Sequence, residues 1–144
     1  ADLLGFVQDP SSPRYLPPER LRAISGALRR AGCGCKLVGV FVGQPVDEAR
    51  ATMAACQLDI AQLHGGEPPA YAQELGYPAI VAHRVHGDIP WDELAAYDAW
   101  GYLLDSHIGR QRGGSGVAWD WSLAEAAALR QRRVLVEWQL VRAA

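Results

Sequence analysis

Short apolar runs alternate along the chain with segments of helical character, and this alternation limits the fold more than any other feature. The runs are Leu3-Leu4-Gly5-Phe6-Val7, Leu37-Val38-Gly39-Val40-Phe41-Val42, Asp59-Ile60-Ala61-Gln62-Leu63, Ala79-Ile80-Val81-Ala82, Tyr102-Leu103-Leu104-Asp105-Ser106 and Val134-Leu135-Val136-Glu137-Trp138. Nearly continuous apolar character over so few residues is typical of strands buried on both faces. Pro17-Pro18 opens the first helix, since proline is tolerated in a first turn. Leu21, Ile24 and Leu28 fall on its inner side, Arg20, Arg22, Arg29 and Arg30 face water, and Gly32 and Gly34 end it. A second helix spans Val46 to Cys56, with Val46, Ala49 and Met53 inward. A third starts at Pro68-Pro69 with Tyr71 and Leu75 inward, and a fourth covers Trp91 to Tyr97. A fifth opens at Ser122, where Ser122-x-x-Glu125 forms a capping box.

Strict β-then-α alternation predicts an α/β protein with a parallel sheet and helices outside it. Two closures suit that order, an open doubly wound sheet or a (β/α)8 barrel of the TIM type. The strands start about 26 residues apart on average, so eight units would need roughly 200 residues, the lower end for such a barrel. The 144 residues would then be one domain, 1–144, holding about six of the eight units. A doubly wound fold fits the length better, but Gln8-Asp9-Pro10 follows the first strand where its glycine fingerprint belongs.

In parallel α/β proteins, chemistry gathers at the C-terminal tips of strands. Asp105 sits at such a tip, followed after a polar run by Gly113-Gly114-Ser115-Gly116, whose backbone N–H groups can approach an anion. A carboxylate so placed is a candidate general acid or base. It also suits a loop cap, or a pairing with Arg110 or Arg112.

Composition narrows the function classes. Hydrophobic residues are 49%, charged residues 21% and the formal net charge is −2, an ordinary globular balance without the basic footprint of a nucleic-acid binder. No apolar run approaches the roughly 18 residues of a membrane span. Ala1-Asp2-Leu3 lacks the layout of a signal peptide and leads at once into a strand, as if the chain began inside a longer domain. Three cysteines, Cys33, Cys35 and Cys56, form no disulfide framework, which suits a reducing cytoplasm. Cys33-Gly34-Cys35 is one residue too close for a C-x-x-C metal or redox motif, so no metal site is expected.

Gly5-Phe6-Val7 with Pro10-Ser11-Ser12-Pro13-Arg14-Tyr15 resembles the second-strand motif of the phosphoribosylanthranilate isomerase family, a (β/α)8 barrel of tryptophan biosynthesis. Val38-Gly39-Val40-Phe41-Val42, Gln62-Leu63-His64-Gly65 with Glu67-Pro68-Pro69, Leu103-Leu104-Asp105-Ser106, and Gly113-Gly114-Ser115-Gly116 with Asp120-Trp121 resemble later motifs in the same order. The resemblance covers about residues 1 to 130. It implies a cofactor-free Amadori rearrangement of N-(5-phosphoribosyl)anthranilate, an aldose–ketose isomerisation. It assigns to Asp105 the acid that opens the furanose, a role that requires its proton to be retained through burial or a neighbouring negative charge. Arg14 resembles the residue that holds the anthranilate part, since a guanidinium fork can bond both carboxylate oxygens. His64 reads either as a polar wall of the pocket or as a satisfied core histidine, and Arg84 as a weaker wall candidate. Gly113 and Gly114 belong to what resembles a flap over the substrate.

The chain also departs from the family pattern. The general-base cysteine sits at the tip of the family's first strand, in a Lys-Ile-Cys-Gly type motif that would precede Ala1. The phosphate grip comes from glycine-rich loops after the seventh and eighth strands, whereas Gln139-Leu140-Val141 follows the last run here. Gln8 and Asp9 stand where apolar or aromatic residues are expected before Pro10. The expectation is an incomplete isomerase with little activity alone, a small phosphosugar-anthranilate as its partner, no nucleic-acid or membrane partner, and self-association through open sheet edges. A non-catalytic degenerate barrel or binding module is the alternative. Indoleglycerol-phosphate synthase is a further rival, opposed by the lack of a strand-tip lysine, since the one lysine, Lys36, precedes a strand.

Overall fold

The computed structural model describes residues 2–85, 90–106 and 134–137. Six strands and four helices follow in the order β1 (Leu3–Val7), α1 (Pro18–Arg30), β2 (Lys36–Phe41), α2 (Val46–Ala55), β3 (Ile60–Leu63), α3 (Pro69–Leu75), β4 (Ala79–Val85), α4 (Trp91–Leu94), β5 (Gly101–Ser106) and β6 (Val134–Glu137). All adjacent pairs are parallel, and the sheet order is β1-β2-β3-β4-β5-β6. A doubly wound sheet reverses its strand order at a switch point. This one never does, so it is part of a barrel wall, a half-barrel.

The register explains why the strands read as apolar on both faces. Leu37, Phe41, Ala61, Leu63 and Ala79 point to the side covered by helices. There they meet Leu21 of α1, Ala49 and Met53 of α2, and Ala72 and Leu75 of α3. Val81, Tyr102 and Leu104 continue that layer against Leu94 of α4. Residues of the opposite parity, Val38, Ile60, Ile80 and Leu103, pack with Leu3, Ala82 and Trp100 on the inner face. Each fully buried Leu, Phe or Met in the outer layer contributes about 1.5–3 kcal/mol. Gly39 lies in that layer because a Cβ there would stand 2.8 Å from both Leu58 Cδ1 and the Phe41 ring.

Several local expectations change. In α1 the buried stripe is Leu21 and Ser25, with Leu28 half-buried, and Ile24 is exposed. Ser25 takes the inner position four residues after Leu21, and its hydroxyl donates to the Arg22 carbonyl at 3.2 Å. Arg29 is no free surface charge either, since it pairs with Asp59 at 2.7 Å. The fourth helix is a single turn, Trp91–Leu94, and gives way to turn residues before Tyr97. Cys33 and Cys35 are not both thiols; they are joined in a disulfide across Gly34, with Cα atoms 5.5 Å apart, within the range a disulfide spans. Cys56 is buried at the C-cap of α2; burial pushes its thiol up, against the lowering effect of the Arg22 charge. The Ser122 helix lies outside the described residues. Among the described residues, no helix is long and apolar enough to cross a membrane.

Asp59 ties together the N-terminal ends of the strands. Its Oδ2 accepts from Arg29 Nη2 of α1 and from the Leu37 N–H of β2, each at 2.7 Å, and Lys36 Nζ lies 3.9 Å from Oδ1. Burial alone would push this carboxyl up, but the Arg29 hydrogen bond, the Leu37 N–H and the charges of Arg29 and Lys36 together hold it below the ordinary carboxylate value. A carboxyl whose folded value is depressed contributes stability in full above its unfolded value of about 3.9. That contribution is lost as pH falls through the folded value. Asp59→Asn is therefore expected to lower the urea midpoint at neutral pH. The gap to wild type should narrow as pH drops below about 3.9, and a gap independent of pH would refute this account.

Candidate active site

Stepping by two along each strand, the inner face runs from Ile60 to Gln62 and His64, from Ile80 to Ala82 and Arg84, and from Leu103 to Asp105. These positions share the C-terminal rim, because every strand points the same way. His64 prolongs the β3 ladder by one step, its N–H donating to the Phe41 carbonyl at 2.9 Å. At the rim His64 Nε2 lies 3.8 Å from Asp105 Oδ2, the two side chains being 19% and 26% exposed. On its other side, His64 Nδ1 is 3.2 Å from Gln62 Nε2. Arg84 is in register with Asp105 on the neighbouring strand, and its side chain is exposed.

Two loops are fixed to this rim by buried polar groups. Glu67, only 6% exposed, accepts from the Gly43 N–H at 2.7 Å through Oε1 and from the Gly65 N–H at 2.9 Å through Oε2. One carboxylate thus joins the β2–α2 turn to the β3–α3 turn and fixes the backbone directly after His64. The turns sit so close that a Cβ on Gly65 would stand 2.5 Å from the Gly43 nitrogen. Tyr97 adds a bond from its hydroxyl to the Glu67 carbonyl at 2.8 Å. Burial pushes the Tyr97 hydroxyl up, and the Glu67 and Glu93 charges push the same way.

The loop after β1 is anchored by Gln8. Its N–H donates to the Val40 carbonyl at 2.9 Å, and its amide Nε2 donates to the Leu16 carbonyl at 3.2 Å. Gln44 reaches over from the β2–α2 turn to donate to the Gln8 carbonyl at 2.9 Å. Asp9 accepts from the Ser11 N–H at 2.9 Å, shaping the turn that carries Pro13 and Arg14. Arg14 is exposed on this loop, at the same end of the sheet as Asp105. Gln8 and Asp9, which depart from the apolar pattern, are therefore a buried anchor and a turn former.

The structure brings His64 and Asp105 together, puts Arg84 beside Asp105, and sets Arg14 on the same rim. Gly113 and Gly114 lie outside the described residues, as do Ser115, Gly116, Asp120 and Trp121. Glu67, Gln62 and Gln8 were not singled out by sequence for any task. The only signal was that Gln62 and Glu67 flank His64 within one recognisable motif.

The family model for N-(5'-phosphoribosyl)anthranilate (PRA) isomerase matches residues 1–137. The chain belongs to this family. Among curated relatives, the PRA isomerase of Syntrophomonas wolfei is 37% identical over 132 residues, covering 92% of this chain and 63% of the relative. That of Citrifermentans bemidjiense is 39% identical over 135 residues, covering 94% and 64%. The chain therefore spans a little under two thirds of these relatives. The solved PRA isomerase of Thermotoga maritima superposes with a TM-score of 0.83 at 32% identity, over 97% of this chain and 67% of that one. The Thermus thermophilus structure gives 0.79 at 40% identity, over 94% and 65%. A further PRA isomerase structure, 29% identical with a TM-score of 0.75, is a complex with reduced 1-(o-carboxyphenylamino)-1-deoxyribulose 5-phosphate.

The Glu67 clamp is open to direct measurement. Glu67→Gln places an amide N–H against a backbone N–H in a buried site. It should lower stability by about 1–3 kcal/mol, read as a lower urea midpoint with an unchanged slope. An unaltered midpoint would show that the two loops hold without the carboxylate.

Proposed function

We propose that this chain carries the acid half of a PRA isomerase site. Asp105 donates a proton to the furanose ring oxygen of N-(5-phosphoribosyl)anthranilate. The C1–O bond breaks and leaves a Schiff base between C1 and the anthranilate nitrogen. A base then removes the C2 proton, and the resulting enol–enamine becomes the 1-deoxyribulose product. Arg14 grips the anthranilate carboxylate with its two-pronged guanidinium. His64 and Arg84 wall the pocket on either side of the acid, and Gly113 and Gly114 cover the substrate. No step in this sequence requires a cofactor.

The observation that carries the reading is the meeting of His64 and Asp105 at 3.8 Å on the rim that also receives the Arg14 loop. The complex of a relative with a carboxyphenylamino deoxyribulose phosphate supports the substrate class. Cys33 and Cys35 precede β2 at the far end of the strands, and Cys56 is buried at the end of α2. The base of the second step is thus not a cysteine of the described residues. The rival reading is a degenerate barrel that binds without turnover. The cytoplasm is the compartment that goes with the biosynthetic reading.

The two readings part in a chimaera in which residues 1–137 replace the matching segment of the Thermotoga maritima enzyme. The isomerase reading expects turnover, with a drop in kcat of about 10²–10⁴-fold on Asp105→Asn, while the 144 residues alone show none. A chimaera indifferent to Asp105→Asn overturns the acid assignment.

We further infer self-association. Among the described residues, β1 and β6 each border the sheet with one unpaired edge, and such edges template pairing with another chain. Light scattering should report dimers or larger species, and a sharply melting monomer would count against this.

A further inference from the structure

We infer that Gln62 is a positioning residue whose side-chain amide sets the tautomer of His64, so that the ring presents an N–H, not a lone pair, to Asp105. The inference rests on the isomerase reading for its purpose, though not for its measurement. Gln62 Nε2 lies 3.2 Å from His64 Nδ1. An amide NH2 can only donate, so Nδ1 must accept, and a neutral imidazole that accepts at Nδ1 carries its proton on Nε2. That nitrogen is the one 3.8 Å from Asp105 Oδ2.

Three features hold the geometry. Gln62 on β3 and His64, one step past its end in the same ladder, are two residues apart, so both side chains leave the same face. The His64 backbone is pinned by its bond to Phe41 and by the Glu67 clamp on Gly65 directly after it. Ile60 and Ile80, buried on the inner face, support the base of the row.

The tautomer decides the sign of an electrostatic effect. When Asp105 gives its proton to the sugar oxygen, its carboxyl gains a full negative charge. An N–H on the nitrogen 3.8 Å from that oxygen stabilises the charge as it develops, whereas an imidazole lone pair there would oppose it. Gln62 touches neither the acid nor the reacting atoms, and acts through His64.

The test reads the ring directly in the ¹⁵N-labelled 144-residue chain. Long-range ¹H–¹⁵N spectra are recorded at a pH about two units above the ordinary imidazole value of about 6.5, with His64 assigned by its loss in His64→Asn. Wild type should show Nε2 protonated and Nδ1 bare. Asp105→Ala should keep that pattern, because the glutamine and not the aspartate sets it. Gln62→Glu, an isosteric side chain that only accepts, should exchange the two ring shifts. If Gln62→Glu does not fold, Gln62→Met combined with Asp105→Ala should leave both tautomers populated. An Nδ1–H ring in wild type, a scrambled ring in Asp105→Ala, or an Nε2–H ring that persists in Gln62→Glu or in the Met double variant overturns the proposal. None of these spectra depends on turnover, so failure of the isomerase reading, seen in the chimaera kinetics, is separate from failure of this one.

Discussion

Parallel pairing of each strand with its neighbour in chain order is the constraint on which the rest of the structure depends. It sends every C-terminal tip to one rim, and the two-residue period of each strand then sorts side chains between an outer layer against helices and an inner face. Gln62, His64, Arg84 and Asp105 meet on that rim although 43 positions of numbering separate the first from the last. A slip of one residue between β4 and β5 would turn Asp105 toward the helices and put Leu104 at the rim. The apolar layers, Leu37 to Leu104 outside and Val38 to Leu103 inside, resist that slip, because it would bury a half-exposed carboxylate and expose a buried leucine.

Polar side chains complete what the ladder leaves open, with a different one at each end. At the N-terminal ends Asp59 joins α1, β2 and β3 through Arg29 and the Leu37 N–H. At the C-terminal ends Glu67 and Gln8 hold the turns after β1, β2 and β3. Both carboxylates are satisfied by charge-assisted bonds, the condition under which a buried or half-buried acid stabilises a fold. The division resembles the general one in such barrels, with stability at one end and chemistry at the other.

Membership of the PRA isomerase family and the half-barrel agree with each other. The chain covers 63–65% of relatives that form the whole barrel, and the described strands form a continuous run of six without closure. Asp105, the candidate acid, and His64 beside it fall at the C-terminal ends of this run, and Arg14, the candidate anthranilate hook, on the loop after β1. Gly113 and Gly114 lie outside the described residues.

Much of this was legible in the residues themselves. The strand runs, the parallel sheet and the rim position of Asp105 follow from periodicity, because a strand buried on both faces has to be apolar and a strand tip can be polar. Shared motifs such as Gln62-Leu63-His64-Gly65 carried the family. What sequence could not decide was contact between distant side chains of ordinary kinds. Arg29 read as a wet arginine until α1 was laid beside the start of β3, and Ile24 read as core until Ser25 took its place. Cys33 and Cys35 read as unpaired by spacing, while the turn at Gly34 brought them together. Glu67 looked like one more acid before a helix. Its role exists only because Gly43 and Gly65 bring two loops within reach of one carboxylate. Local patterning fixes which face a residue takes; only packing in three dimensions fixes what it finds there.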